Sequence, residues 1–324
     1  MIISIFAPDF TPPPELFVIK QSPGKGLGVF ATRDVEPGTV IMQDSPLILI
    51  RPPEMHEGIG YPLDAIQILI TKAFDALSED DQEEILSLSA HVLPGEADET
   101  DYDRLKTIFR SNAYNTGREI GLFTKVARIN HSCRPNAGYQ WIERLGKRVV
   151  YATSRIDEGE EISVTYIPLL FSKKDRERRL DQYGFKCSCE ACAGHTENTW
   201  ASDHRRQEIQ KAFFELEKEL TLEVPRSIMA KKNARRQAEE SLRLAELVDE
   251  EGLADYYAQA YRVVAVCHAR LEQWEPATIW AHKSYEVRLM GDMQSEETLE
   301  MQILTSRFIE NWEAELRNKS KSRA

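Results

Sequence analysis

Three of the chain's five cysteines fall at Cys187, Cys189 and Cys192. Thiolates at this spacing can converge on one tetrahedral Zn²⁺, and a closed structural site needs four nitrogen or sulfur ligands. The knuckle supplies three, so the fourth comes from elsewhere and the fold has to deliver it. Two residues qualify: Cys133, far upstream, and His195, three positions past Cys192. Cys267 lies on the apolar side of a predicted helix and reads as a small core residue. An odd cysteine count, with no basic flank or small-residue cleavage site in Met1–Phe6, predicts a reducing compartment, nuclear or cytoplasmic.

With 324 residues the chain is long enough for two domains with a buried core. Its net charge of -12 argues against direct nucleic-acid binding and leaves room for a basic protein partner. Its apolar runs fall well short of the ~20 residues that span a bilayer, so no membrane association is expected. A monomer is the default expectation.

Residues 1–15, rich in proline, read as an extended lead-in. A β-rich region opens at Leu16-Phe17-Val18-Ile19, followed by Gly24-Lys25-Gly26-Leu27-Gly28, where glycines allow a sharp turn and close approach to a ligand. Asp34–Ile41 and Arg155–Ile162 share one rhythm of short strand, acidic-glycine turn and strand. That rhythm belongs to many short strands, not to a parallel sheet with crossover helices. Between about 62 and 115 the period becomes helical: Leu63, Ile66, Ile70, Phe74 and Leu77 share a face. Ser78-Glu79-Asp80-Asp81 reads as a capping box for the next helix, and a third helix is predicted over Asp103–Asn112. Strands resume at 120–123, 139–141 and 148–152, and a charged helix over 173–182 leads into the knuckle. Beyond Gly194 the pattern is helical, over 203–220, 226–249, 253–271, 276–290 and 295–317, with breaks at Pro225, Gly252, Pro276 and Gly291. Tyr256/Ala260 and Ala277/Ala281 set small residues beside aromatics, as in tetratricopeptide-type hairpins, without a regular repeat. Lys231-Lys232 and Arg235-Arg236 form a basic helix face expected to be solvated.

Four segments, in order, carry a resemblance. They are Lys25–Phe30; Arg128-Ile129-Asn130-His131-Ser132-Cys133-Arg134-Pro135-Asn136; Glu161–Tyr166; and Tyr183-x-Phe185-x-Cys187-x-Cys189-x-x-Cys192. Together they resemble the SET-domain protein lysine methyltransferases, closest to the SET-and-MYND branch. The resemblance covers residues 16–194, and the helical tail is similar to that branch's C-terminal domain. It implies an α+β chain: a SET domain over 16–171 with its helical insert, a zinc-binding post-SET segment over 172–194, and a TPR-like helical domain over 195–324. It also implies an S-adenosyl-L-methionine cofactor, one structural zinc and a protein or peptide substrate bearing a lysine, histone or not.

Carried over by position, the resemblance has Lys25, Gly26, Leu27 and Gly28 bind the cofactor. Asn130 and His131 hold its adenine and amino-acid ends, and Phe185 stacks on adenine. Cys133 joins Cys187, Cys189 and Cys192 on zinc. Asn112 and Tyr114 correspond to an Asn-x-aromatic element, with Asn112 at the cofactor. Tyr166 and Tyr183 line the lysine channel, Tyr166 orienting amine and methyl and Tyr183 directing the lone pair. One departure stands out: Gln43–Pro62, where a MYND finger would fall, holds no cysteine. A rival reading is a catalytically weak scaffold acting through the helical tail. Against it, a scaffold has no need of Tyr166, Asn130, His131 or the glycine loop.

Overall fold

The structure, a computed structural model, describes residues 15–54, 62–96, 99–193 and 196–321. The proline-rich lead-in as far as residue 14, and the alternative zinc ligand His195, lie outside the described residues.

Strands β1 (Phe17–Ser22) and β2 (Gly26–Ala31) form an antiparallel hairpin with Ser22 opposite Gly26. Its turn places Gly24 at φ 74° and Gly26 at φ 75°, a region that side chains disfavour. Six further strands make two antiparallel sheets. One is ordered β3 (Val40–Asp44), β9 (Lys147–Ala152), β8 (Ala137–Ile142); the other β4 (Ile48–Ile50), β6 (Ile120–Leu122), β5 (Ala113–Asn115). Strand β10 (Glu161–Val164) lies between β2 and β7 (Asn130–His131), giving a four-stranded sheet of order β1-β2-β10-β7. Among the described strands the β7–β10 pair alone is parallel. The expected rhythm of many short strands is therefore present, and their pairing is antiparallel except at the Asn-His pair. Val29, Ile41, Phe123, Val150, Ile162 and Val164 form the core beneath these sheets.

The insert contains α1 (Leu63–Asp75), α2 (Glu79–Leu86) and α3 (Asp101–Asn112). Ile70 and Phe74 bury with Ile85, Leu105 and Ile108 against Ile48, Ile50 and Leu122, so the helices cover the β4-β6-β5 sheet. The capping box expected at Ser78–Asp81 is half made: Ser78 accepts the Asp81 N–H, with no reciprocal bond to the Ser78 N–H. The complete box sits at Thr100 and Asp103, ahead of α3, where the carboxylate does reach back to the Thr100 N–H.

After α4 (Lys173–Leu180) and α5 (Glu190–Ala193), five long helices follow: α6 (Thr196–Lys218), α7 (Ile228–Glu251), α8 (Ala254–Arg270), α9 (Trp274–Gly291) and α10 (Glu296–Lys321). Each packs on the next. Gly252 ends α7 in the left-handed conformation, φ 63°, as the sequence break there suggests. Ala260, Ala277 and Ala281 are fully buried and Cys267 is a core residue, while Lys231, Lys232, Arg235 and Arg236 are exposed. No described helix is long and apolar enough to cross a membrane.

The helices share a core with the cysteine region: Cys133, Leu169 and Cys192 pack with Ile209, Phe213, Val248 and Val263. At the centre of this junction lies a buried ion pair, Arg206 with Glu251, both fully enclosed, Nε to Oε2 3.1 Å. Arg206 also donates to the carbonyls of Leu169 (2.8 Å) and Cys133 (3.1 Å), while Arg205 and Ser202 bond the same carboxylate. Helix α6 thereby grips the Arg128–Asn136 segment directly.

Candidate functional site

The Arg128–Asn136 segment is laid along β10 by its own polar side chains. Asn136 donates to Glu160 Oε1 (2.9 Å) and Glu161 O (3.0 Å) and accepts the Ser163 N–H (2.8 Å). Ser132 N–H bonds Val164 O at 2.9 Å. Asn130 thus faces the glycine turn, and its Nδ2 donates to Leu27 O (3.1 Å) and Glu161 Oε1 (2.7 Å). The other Glu161 oxygen takes Lys25 Nζ at 2.7 Å. Burial works against the Glu161 carboxylate, but the bonds from Lys25 and Asn130 outweigh it and hold the group below its ordinary range. Gly28 makes this junction possible, because a Cβ there would stand 2.5 Å from Glu161 Oε1 and 2.9 Å from Asn130 Nδ2. Sequence reading passed over Glu161; its place beside the strand residues gave it no distinguishing signal.

His131 is 3% exposed. Its Nδ1 accepts the Tyr166 N–H at 3.1 Å, which leaves the proton on Nε2, 3.3 Å from Cys133 Sγ. Burial pulls its pKa down to about 4, so the ring is neutral. Tyr166, two residues beyond the end of β10, donates its hydroxyl to Ile129 O at 2.6 Å. Its ring centre lies 5.1 Å from that of Tyr183 and 6.4 Å from that of Phe185, edge-on to the latter. Burial first, and then the Tyr183 hydroxyl, push its phenol up.

These groups surround one cavity of about 530 Å³, the size range of small-molecule sites. Lys25, Leu27, Asn112, Asn130, His131, Tyr166, Tyr183 and Phe185 all line it, drawn from segments scattered over 160 positions of chain. Gly26, exposed in the turn, and Gly28, buried beside Glu161 and Asn130, do not line it. Asn112 lines it with its amide already engaged, Nδ2 donating to Ser89 O and Ile108 O at 2.9 Å each. Tyr114, the aromatic of the Asn-x-aromatic element, is on the wall; the structure adds Tyr139 and, from the insert, His91, which packs on Gly184. Arg110 fastens that loop by bonds to His91 O, Glu96 (3.0 Å) and Gln182 O (3.3 Å). Nothing in the residues around His91 marks it; its position comes from the insert folding back.

Cys133, Cys187, Cys189 and Cys192 gather with all four sulfurs within 4.8 Å of one another, the Cys133–Cys192 pair at 3.6 Å. Zn–S bonds of ~2.3 Å in a tetrahedron put sulfurs ~3.8 Å apart, so the donor set fits. The fully buried Arg176 stands against Cys133 and Cys192, with no oxygen acceptor at Nε or Nη2. Donors without an oxygen acceptor beside thiols fit a thiolate cluster with net negative charge. Hydrogen bonds among the thiols, led by that with Cys133, hold the Cys192 thiol below its ordinary pKa.

Residues 26–167 match the SET domain family. The chain resembles histone-lysine N-methyltransferase set5 of Schizosaccharomyces pombe, 29% identical over 183 residues, covering 55% of this chain and 51% of the relative. It also resembles SET domain-containing protein L678 of Acanthamoeba polyphaga mimivirus, 28% identical over 214 residues, 56% of this chain and 77% of that one. A shorter match, 38% identical over 91 residues, is to N-lysine methyltransferase SMYD2 of Homo sapiens, 28% of this chain and 19% of that one. The match thus spans about half of the fission-yeast relative and far less of the human one.

Proposed function

We propose, from the match of residues 26–167 to the SET domain family, that the chain is an S-adenosylmethionine-dependent protein-lysine N-methyltransferase. The observation that carries the reading is the convergence of Lys25, Asn130, His131, Tyr166, Tyr183 and Phe185 on one cavity. Bound there, the cofactor supplies an electrophilic methyl group. The chain's part is binding, orientation and removal of water.

Asn130 presents its amide at the cavity, locked by Glu161 and the Leu27 carbonyl, so its orientation is set before a ligand arrives. The neutral His131 ring holds the Tyr166 backbone by Nδ1 and points Nε2–H at Cys133. Phe185, edge-on to Tyr166, offers its face to a flat heterocycle. The acceptor lysine must arrive neutral, which at pH 7 costs roughly 4 to 5 kcal/mol from a pKa of ~10.4. An enclosure of buried tyrosines opposes the ammonium form by desolvation. Tyr166 and Tyr183, at 5.1 Å, are the pair that orients the amine. Cys133, Cys187, Cys189 and Cys192 would hold a zinc, which would tie the segment bearing Tyr183 and Phe185 to the one bearing Asn130 and His131. The substrate is a lysine-bearing protein or peptide, and the chain's net charge of -12 suits a basic one.

Tyr166→Phe tests the assignment. It removes the hydroxyl held by Ile129 O, and methyl transfer to lysine in a protein extract should fall by about 10²-fold or more while S-adenosylmethionine affinity stays within a few-fold. Full transfer by the variant would refute the role of Tyr166.

A further inference from the structure

Arg148 lies in β9 and is 3% exposed. A guanidinium keeps its charge in proteins, and an enclosed charge normally requires an opposite one. Among the described residues no carboxylate stands within ion-pair distance of it. Asp44, its cross-strand neighbour on β3, accepts the N–H groups of Lys125 and Val126 instead. What surrounds Arg148 is aromatic: its guanidinium carbon lies 4.4 Å from the ring centre of Tyr114, 5.0 Å from that of Tyr139 and 5.1 Å from that of Phe123. Nη2 donates to Asn115 O at 2.8 Å, and Nε is buried without a partner. Ring faces attract a cation, and here they are its main counterweight.

Two of those rings, Tyr114 and Tyr139, wall the cavity. Tyr139 bonds Thr165 O, next to Tyr166, at 3.2 Å. The cation therefore stands behind the wall at the end where Tyr166 and Tyr183 meet. We infer that Arg148 is a positioning residue of the acceptor-amine end: it fixes the faces of Tyr114 and Tyr139 and, as a permanent charge behind them, disfavours the ammonium form of an amine held there. The inference deepens the methyltransferase reading and rests on it.

The other charged and titratable groups facing this end leave the balance positive. Arg110 of α3 faces Tyr183. Glu161 of β10 faces Tyr166 but is bonded to the Lys25 ammonium. Asp255 of α8 faces Tyr139 and Tyr151 and opposes the effect in part. The hydroxyls of Tyr114, Tyr139, Tyr166 and Tyr183 are all held protonated, by burial above all.

The test needs no identified substrate. Sinefungin carries an amine on the atom that replaces the sulfonium, at the point from which the methyl would leave, and S-adenosylhomocysteine lacks it. Calorimetry of both ligands between pH 6 and 10 gives a ratio of affinities that isolates the amine. In the unsubstituted protein the ratio should favour sinefungin progressively as pH rises. Arg148→Met should improve sinefungin at neutral pH by roughly tenfold relative to S-adenosylhomocysteine, the effect of one charge about 10 Å away at an effective permittivity of ~20. Arg148→Lys should keep the original pH dependence. A ratio that does not change between Arg148→Met and the parent would overturn the electrostatic role. If Arg148→Met does not fold, the unsubstituted protein decides alone: a ratio flat or falling with pH overturns the inference. Failure of the parent to bind S-adenosylhomocysteine at all sinks the underlying cofactor reading, an outcome distinct from a flat ratio with intact binding.

Discussion

Replacing Gly28 by alanine should disable cofactor binding although Gly28 does not itself line the cavity. Its backbone φ is ordinary, so the effect is purely steric. The new Cβ would stand 2.5 Å from Glu161 Oε1, 2.9 Å from Asn130 Nδ2 and 3.0 Å from Ser22 Cβ. Ordinary contact requires a retreat of about 1 Å by Glu161, enough to break its 2.7 Å bond to Asn130 and to strain the Lys25 contact. Losing a charge-assisted bond of about 1.5 to 3 kcal/mol, with overpacking of about 1 to 3 kcal/mol, predicts a total of about 2.5 to 6 kcal/mol. It should be divided between a lower Tm and an affinity for S-adenosylmethionine reduced at least tenfold. Glu161→Asp, one methylene shorter, should restore part of the affinity when combined with Gly28→Ala. Gly159→Ala is the control: φ is 82° but nothing lies within 4 Å of its Cβ, so it should cost about 1 kcal/mol of stability and leave cofactor affinity unchanged. Wild-type affinity and Tm in Gly28→Ala would refute the reasoning.

Three more outcomes follow from the same geometry. Stripping metal with a strong chelator should lower Tm sharply and expose Cys187, Cys189 and Cys192 to thiol reagents together, since the four sulfurs form one cluster; an unchanged melting curve in a metal-free sample would exclude a structural ion. Glu251→Gln should cost about 3 to 5 kcal/mol, because it leaves Arg206 enclosed without its counter-charge, and equilibrium urea unfolding would measure it. The folded-state pKa of Glu161 lies below its ordinary 4.5, so its stabilising effect is full above that value and fades as pH falls below it; the acid limb of a Tm-versus-pH curve should flatten in Glu161→Gln.

The cysteines and the Asn130–Asn136 segment were legible because their chemistry is rare and their spacing is specific. The helices were legible because apolar periodicity survives partner changes, as Ile70, Phe74 and the buried Ala260, Ala277 and Ala281 show. What could not be read was contact between distant segments made by common residue types. Glu161 looks like any strand-flanking glutamate until Lys25 and Asn130 are folded onto its two oxygens. Arg148 lies in a short strand with nothing in the sequence to mark it, and only the sheet puts three rings on it. The capping box moved from Ser78 to Thr100 because both sequences offer the pattern and the reciprocal bond depends on local geometry. Where a MYND finger would be expected, β3 runs on into β4 within a few residues.

The central claim is that the cavity is a cofactor site held ready by Asn130. Calorimetry of S-adenosylmethionine on the zinc-replete protein, beside Asn130→Ala, tests it most directly. Binding in the micromolar range, abolished by the substitution, is the expected result. No binding to a folded, zinc-loaded sample, or equal binding by Asn130→Ala, would contradict it.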